Sequence, residues 1–201
     1  MNGWQGGGMA SKAIDRLALP LLSRLAGRRW QPPLAAGLAG GSVWAVRMAF
    51  PQVETEVLAR GAAWLAALMS GSGLTRGEEG WLFDASGLPI VVTQACSGAD
   101  FHLMVTVLCG WQLARCGMSF GRALLTSLSL ALPLSVAVNA LRISVLAQAH
   151  RWVMPRFPEV YGAILHLLFG VAVFLPALIA LNLLLESHAR RRSFAATSHH
   201  A

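Results

Sequence analysis

The hydrophobic positions of this chain fall into long runs separated by short polar connectors. Four runs approach the about 20 residues with which a helix crosses a bilayer, and they span approximately residues 34–50, 97–113, 123–148 and 162–185. A fifth run, about residues 57–69, is too short to cross and has charged residues at its start. We therefore predict an all-α membrane protein, a polytopic helical bundle of five apolar helices with four full spans and one re-entrant or interfacial half-span.

The segment between the half-span and the second full span has a different character. Residues 71–95 are rich in glycine, serine, threonine and acidic residues, and within them two short stretches, 81–84 and 88–93, flank a turn at 85–87. This pattern favours two paired strands. We predict a small hairpin in a loop on the outer side of the membrane.

Composition supports the membrane setting. Of the 201 residues, 55% are hydrophobic and only 12% are charged, which is far from the composition of a soluble domain. We predict one membrane-embedded domain over residues 34–185, preceded by a basic cytoplasmic segment, 1–33, and followed by a basic, disordered cytoplasmic tail, 186–201. Apolar residues at helical spacing between Ile14 and Leu25 predict an amphipathic helix in the first segment.

The formal net charge of +7 comes mainly from basic residues at the two ends of the chain. Because cytoplasmic segments of membrane proteins are enriched in lysine and arginine, we attribute this charge to topology and expect no nucleic-acid partner. Four spans place both termini and the connector with Arg115 and Arg122 in the cytoplasm, whereas a fifth crossing would put one basic terminus outside. Charged residues interrupt every apolar run before residue 34, so we expect no cleavable signal peptide.

This topology brings three scattered residues to similar depth. Cys96 opens the second full span at its outer end, His166 lies four residues into the last span, and Arg142 lies six residues before the outer end of the third. At the helical rise the two offsets are about 6 and 9 Å. An arginine inside an apolar helix costs about 2–3 kcal/mol unless it faces a partner or a polar cavity, so Arg142 indicates a functional site.

The residue types at this depth suit a cysteine nucleophile. Ser97 and Asp100 have the spacing of a capping box, which predicts that a helix begins there with Cys96 at its positive end, where a thiolate is favoured. His166 is the candidate general base and acid, and Arg142 is the candidate donor to an oxyanion or a substrate carboxylate. Around these three catalytic candidates we expect four substrate-binding residues: Ser97, Gly98, Asp100 and Asn139.

Other reactive residue types have simpler interpretations. His102, on the same predicted helix as Cys96, is an alternative base, and His150 falls in the outer connector, where we expect it to face water. Cys109 and Cys116 are interpreted as small hydrophobic residues. The cysteines are odd in number and include no C-x-x-C pair, and the histidines lack ligand-like spacing, so we expect no disulfide framework, no metal and no cofactor.

Three short runs carry a family resemblance: Gln94-Ala95-Cys96-Ser97-Gly98, Asn139-Ala140-Leu141-Arg142-Ile143 and His166-Leu167-Leu168-Phe169-Gly170. Their order and membrane setting resemble the Cys, Arg and His signatures of the exosortase and archaeosortase superfamily. The short length and the run after Gly98 make the chain most similar to the compact exosortase K branch. The resemblance covers about residues 34–185. The chain departs from it at Gln94, where many relatives have Glu, and at 99–100, where Ala-Asp replaces Leu-Arg.

The resemblance implies a cysteine transpeptidase of the bacterial cytoplasmic membrane with its active site on the outer side. Such an enzyme cleaves a C-terminal sorting segment from an exported protein, holds the new carboxyl terminus as a thioester on Cys96, and transfers it to an envelope acceptor. The expected partners are an exported protein with a PEP-CTERM-type signal and a transmembrane helix, the envelope acceptor and membrane lipid.

Two other functions are compatible with the same residues. One is a membrane acyltransferase in which Cys96 carries a fatty acyl chain. The other is a non-catalytic assembly or transport subunit in which Arg142 and Asn139 line a polar path. The two enzymatic functions require the thiol of Cys96, whereas the non-catalytic one does not.

Overall fold

The computed structural model describes residues 30–85 and 87–198. The amphipathic helix predicted between Ile14 and Leu25 lies outside the described residues, as does Ser86 of the predicted turn. The main helices are α1 (Gln31–Ala49), α2 (Arg60–Met69), α3 (Ala99–Arg115), α4 (Phe120–Trp152) and α5 (Gly162–Ser198). A helical turn, Pro51–Val53, and a π-helical segment, Glu54–Ala59, lead into α2, and the strands are β1 (Leu74–Arg76), β2 (Trp81–Asp84) and β3 (Pro89–Val92).

Small residues bring α1 and α3 into close contact. The face of α1 toward the interior is made of Ala35, Ala36, Ala39 and Gly40, all buried. A Cβ atom built on Gly110 of α3 would lie 3.1 Å from the carbonyl oxygen of Ala35. Because neither glycine nor alanine keeps the backbones apart, the two helices approach as small-residue interfaces of membrane helices do.

Helix α4 is the centre of the bundle, because it contacts α1, α2, α3 and α5. Its 33 residues correspond to a length of about 50 Å. One buried stripe repeats every four residues along it and consists of Ala123, Ser127, Ala131, Ser135, Asn139 and Ile143. Most of these side chains are small, so neighbouring helices approach closely, and Asn139 is the largest polar group in the stripe.

The three strands form one antiparallel sheet in the order β1-β2-β3. Strands β2 and β3 fall within the two stretches predicted for the hairpin, and β1 is a strand that the sequence analysis did not include. Trp81, Phe83 and Val92 are buried in a cluster with the alanines of α2 and with Ala140, Ile143 and Ala147 of α4. The sheet therefore packs on α2 and on the second half of α4.

Two helical stretches in the described part of the chain are long and apolar enough to cross a membrane: Phe120–Arg156, which is α4 with the turn after it, and Gly162–His188, which lies within α5. Only 11% of the most apolar stretch of the second is buried, and its exposed residues include Leu167, Leu168, Leu175 and Leu184. An apolar surface of this extent is unfavourable in water and suits contact with lipid. The two other predicted spans, which correspond to α1 and α3, and the half-span at residues 57–69 stay predictions.

Helix α5 continues beyond residue 185, where the last span was predicted to end. Of the tail predicted to be disordered, residues 186–198 are helical. This stretch contains neither glycine nor proline and is rich in alanine and arginine, which favour helix. The helix therefore extends beyond the end that the hydropathy pattern indicated for the last span.

Candidate active site

Cys96 lies in a short connection between the sheet and the helix bundle. Strand β3 ends at Val92, and Gln94–Cys96 form a single 3-10 turn in which the Cys96 N–H donates to the carbonyl oxygen of Thr93 at 3.0 Å. Helix α3 begins three residues after Cys96. The sheet on one side and α3 on the other therefore fix the backbone that carries the thiol.

The side chain of Asn139 holds this connection from α4. Asn139 is fully buried, and its Nδ2 donates to the carbonyl oxygen of Cys96 at 2.7 Å. Gly98 has a φ of +73°, and a Cβ atom built on it would lie 2.8 Å from Cγ of Asn139. Gly98 is therefore required both by its left-handed backbone and by the approach of Asn139.

Cys96 and His166 line one cavity of about 270 Å³. Its wall consists of residues 88–92 of the sheet, Cys96, His166 of α5, and Ile143, Leu146, Ala147 and His150 of α4. His150 is part of this wall, whereas Arg142 is not among the lining residues. The structure thus brings two of the three predicted catalytic residues to one cavity, and Arg142 lies outside its wall, at the contact between α4 and α5.

Arg142 reaches from α4 across to α5. Its guanidinium carbon lies 5.2 Å from the centre of the Phe174 ring, and the Phe174 ring stacks on Phe101 of α3 at 4.4 Å. A Cβ atom built on Gly170 would lie 3.1 Å from Arg142 Nε, so the absence of a side chain there gives the guanidinium its space. Arg142 Nε is buried and has no hydrogen-bond partner among the described residues.

The remaining predicted site residues flank the start of α3. Ser97 is buried, and its hydroxyl oxygen accepts a hydrogen bond from the Ala99 N–H at 3.4 Å. Asp100 is exposed and pairs with Arg47 of α1 at 2.7 Å. The predicted capping box is therefore wrong: Gly98, not Ser97, immediately precedes the helix, and these hydrogen bonds of Ser97 and Asp100 go to Ala99 and Arg47 and not to each other's backbone. The left-handed conformation of Gly98 turns the chain so that the helix begins after it.

Of the two other candidate histidines, His102 lies in the helix predicted for it, whereas His150 does not lie in the predicted connector. His102 forms a hydrogen bond with Ser135 at 3.2 Å and lines a different cavity from that of Cys96. His150 was predicted to lie in a connector, but α4 extends through it to Trp152. Its side chain is exposed and lines the Cys96 cavity. The signal for this position was its helical spacing, because residues 143, 146, 147 and 150 share one helix face.

Among the described residues, the cysteines and the other potential metal ligands do not form a second reactive site. Cys96, Cys109 and Cys116 are all free thiols, and Cys109 is buried. Within residues 30–85 and 87–198, no group of three or more His, Cys, Asp or Glu side chains is arranged to hold a metal ion. The chemistry available at this site is that of a thiol, two imidazoles and a guanidinium.

Comparison with known families identifies the chain. The family model described as transmembrane exosortase (EpsH) matches residues 17–183, which include the Cys96, Arg142 and His166 runs. This protein belongs to the transmembrane exosortase family, and the predicted resemblance is confirmed at that level. Searches of curated proteins and of solved structures found no match. Family membership and the apolar helices make the chain a membrane protein with the general role of a peptidase or transpeptidase.

Proposed function

We propose that this protein is a membrane cysteine transpeptidase that removes a C-terminal sorting segment from exported proteins. Cys96 is the nucleophile, and the released carboxyl terminus passes through a thioester to an acceptor in the cell envelope. The observation that carries the proposal is that Cys96 and His166, from separate elements, line one cavity. The compact chain and the run after Gly98 favour a place in the exosortase K branch.

In the first step, His166 takes the proton of the Cys96 thiol, and the thiolate attacks the carbonyl carbon of the scissile peptide bond. The C–S bond forms and the C–N bond breaks, with His166 returning the proton to the departing amine. In the second step, His166 takes a proton from a nucleophile of the acceptor, which attacks the thioester carbonyl; the C–S bond breaks, and the leaving sulfur regains that proton as the thiol. The cavity gives both reactants access to one sulfur atom.

Arg142, at the contact between α4 and α5, is the proposed source of positive charge for this reaction. Its Nε is buried without a partner within the described residues, but the residue as a whole is only half-buried, so the other N–H groups of the guanidinium are the candidate donors to a substrate oxygen. A carboxylate or an oxyanion is the partner that such a group binds most strongly. The guanidinium lies over the ring of Phe174, and the absence of a side chain at Gly170 leaves room for it.

Asn139 is a positioning residue in this account, although the sequence analysis placed it among the substrate-binding residues. Its amide nitrogen is already used by the Cys96 carbonyl oxygen, which fixes the backbone of the nucleophile. Ser97 and Gly98 shape the same connection, and Asp100 pairs with Arg47. Any contact of Ser97, Gly98 or Asp100 with substrate stays a prediction.

The proposal is tested by replacing the thiol. Cys96→Ala and Cys96→Ser are expected to leave the exported precursor at full length while the protein still inserts in the membrane. Cys116→Ser, at the other end of α3, is the matched control and is expected to process the precursor normally. Processing at the wild-type rate by Cys96→Ala would contradict the proposal and favour a non-catalytic subunit.

A further inference from the structure

Strand β3 forms one edge of the sheet in the described part of the chain, since it pairs with β2 and β2 separates it from β1. The same strand forms a wall of the Cys96 cavity, which is lined by residues 88–92. An edge strand offers unpaired backbone groups to another chain. Here that edge leads along the cavity wall toward the nucleophile.

The hydrogen-bond register shows which groups of β3 face away from β2. Ala85 and Leu88 exchange hydrogen bonds at the turn, and bonded and non-bonded pairs alternate along an antiparallel ladder. The pairs Phe83–Ile90 and Trp81–Val92 are therefore the bonded ones. The N–H and C=O of Val91, opposite Leu82, point to the free edge.

Pro89 agrees with this register. Pro89 lies opposite Asp84, which is a non-bonded position. Its backbone nitrogen, which carries no hydrogen, therefore faces the free edge, and no hydrogen bond to β2 is lost. Its carbonyl oxygen faces the same way and remains an acceptor. Val91 and Pro89 together present one donor and two acceptors along the edge, and the side chain of Val91 is 43% exposed.

We infer that the substrate peptide binds as an added strand on the free edge of β3, in extended conformation, with its scissile carbonyl delivered to Cys96. This inference rests on the proposed function. The occupant is a peptide because main-chain groups of β3 bind main-chain groups without regard to side chains. Opposite the strand, Ile143, Leu146 and Ala147 of α4 form an apolar wall for alternate side chains of the peptide.

Strand addition also explains how a flexible segment is oriented for attack. The turn at Gln94–Cys96 follows β3 after a single residue, Thr93, so a peptide in register with β3 is also in register with the thiol. Holding the reacting atoms in one geometry lowers the entropic cost of the attack. The cavity of about 270 Å³ is smaller than the about 300–1,000 Å³ of small-molecule pockets, so only the residues next to the scissile bond would enter it.

The first experiment removes one donor from the edge. Val91→Pro deletes the N–H that faces the peptide and keeps the ladder to β2, because that N–H is not bonded to β2. Leu74→Pro is the matched control, since Leu74 starts β1 on the opposite edge of the sheet. Both variants are reacted with iodoacetamide to show that the Cys96 thiol is present and accessible.

We expect Val91→Pro to slow processing of a membrane-anchored exported precursor about tenfold, as for a lost hydrogen bond of about 1.4 kcal/mol. The rate at which iodoacetamide alkylates Cys96 should stay within about twofold of the wild-type rate, because the substitution leaves the backbone at Cys96 in place. Leu74→Pro is expected to process the precursor at the normal rate. Normal processing by Val91→Pro overturns the inference while Cys96→Ala remains inactive. If Cys96→Ala also processes normally, the proposed function fails and the inference fails with it.

A second measurement covers the case in which Val91→Pro does not fold. p-Benzoylphenylalanine replaces Val91 in the Cys96→Ala protein, and the same photoreactive group replaces Leu184 on the exposed face of α5 as the control. Irradiation of membranes with the precursor is expected to cross-link it from position 91 and not from position 184. Cross-linking from position 91 to lipid alone, or equal cross-linking of precursor from both positions, overturns the inference.

Discussion

The side-chain amide of Asn139 donates a hydrogen bond to the carbonyl oxygen of Cys96, with 2.7 Å between Nδ2 and the oxygen. This bond joins the central helix α4 to the turn that carries the proposed nucleophile. Asn139 is fully buried, so water does not replace the bond when it is lost. The position of the thiol therefore depends on a residue that lies three positions before Arg142 on the same helix.

The first prediction concerns this bond. Asn139→Leu preserves the size of the side chain and removes its donor, so the Cys96 carbonyl oxygen is left buried and unpaired. We expect processing of the precursor to fall about tenfold or more, because a lost buried hydrogen bond costs about 1–3 kcal/mol. Ser127→Ala, on the same buried stripe but bonded to its own helix, is the control. Equal rates for the two variants would contradict a positioning role for Asn139.

The second prediction separates the two reasons for glycine at position 98. Gly98 and Gly71 have similar φ values, +73° and +69°, but only Gly98 has a neighbour in the space of a Cβ atom. An alanine at either position pays about 1–2 kcal/mol for the left-handed backbone. Gly98→Ala additionally displaces Asn139, so we expect a larger fall in melting temperature and a loss of processing. Thermal unfolding in detergent measures the melting temperatures. A similar fall in melting temperature for Gly98→Ala and Gly71→Ala would show that the contact between position 98 and Asn139 is unimportant.

The third prediction concerns Gly170. Gly170→Val places branched carbon atoms where Arg142 Nε lies and is expected to lower processing to the level of Arg142→Ala. The double variant should be no worse than either single one, because the two changes act on one interaction. Gly162→Val, at the open start of α5, is the control. Additive losses in the double variant would mean that Gly170 acts independently of Arg142.

The fourth prediction compares two histidines. His166→Ala removes the proposed base and is expected to slow processing at least about 100-fold, in the range of general acid–base catalysis. His102→Ala should change it much less, since His102 bonds Ser135 and lines another cavity. Measuring both rates at equal protein abundance distinguishes the bases. A greater loss for His102→Ala would transfer the catalytic role to His102.

The sequence predicted much of this site but little of its contacts. Cys96 and His166 were placed at similar depth because both lie near outer ends of apolar runs, and depth follows from counting residues along helices. The bond from Asn139 and the space at Gly170 depend on the direction of side chains between helices, which periodicity does not give. His150 was misplaced because the end of α4 was set at residue 148, four residues too early.

The fold, like the site, was predicted only in part from the sequence. Hydropathy indicated the long apolar helices, since burial in lipid requires a sustained run of apolar residues. It did not indicate β1, a strand of three residues with two exposed side chains, because a strand so short has no resolvable alternation. The helix beyond Leu185 was not predicted, because the charge of its arginines suggested a solvated, disordered segment.

The proposed reaction requires a thioester between Cys96 and the carboxyl terminus of the cleaved protein. Its most direct test is mass spectrometry of the Cys96 peptide from membranes quenched with acid during processing, with His166→Ala as the control. We expect a hydroxylamine-sensitive peptide adduct on Cys96 that is absent from His166→Ala. A fatty acyl adduct in its place, or active processing with no adduct on Cys96, would contradict the account.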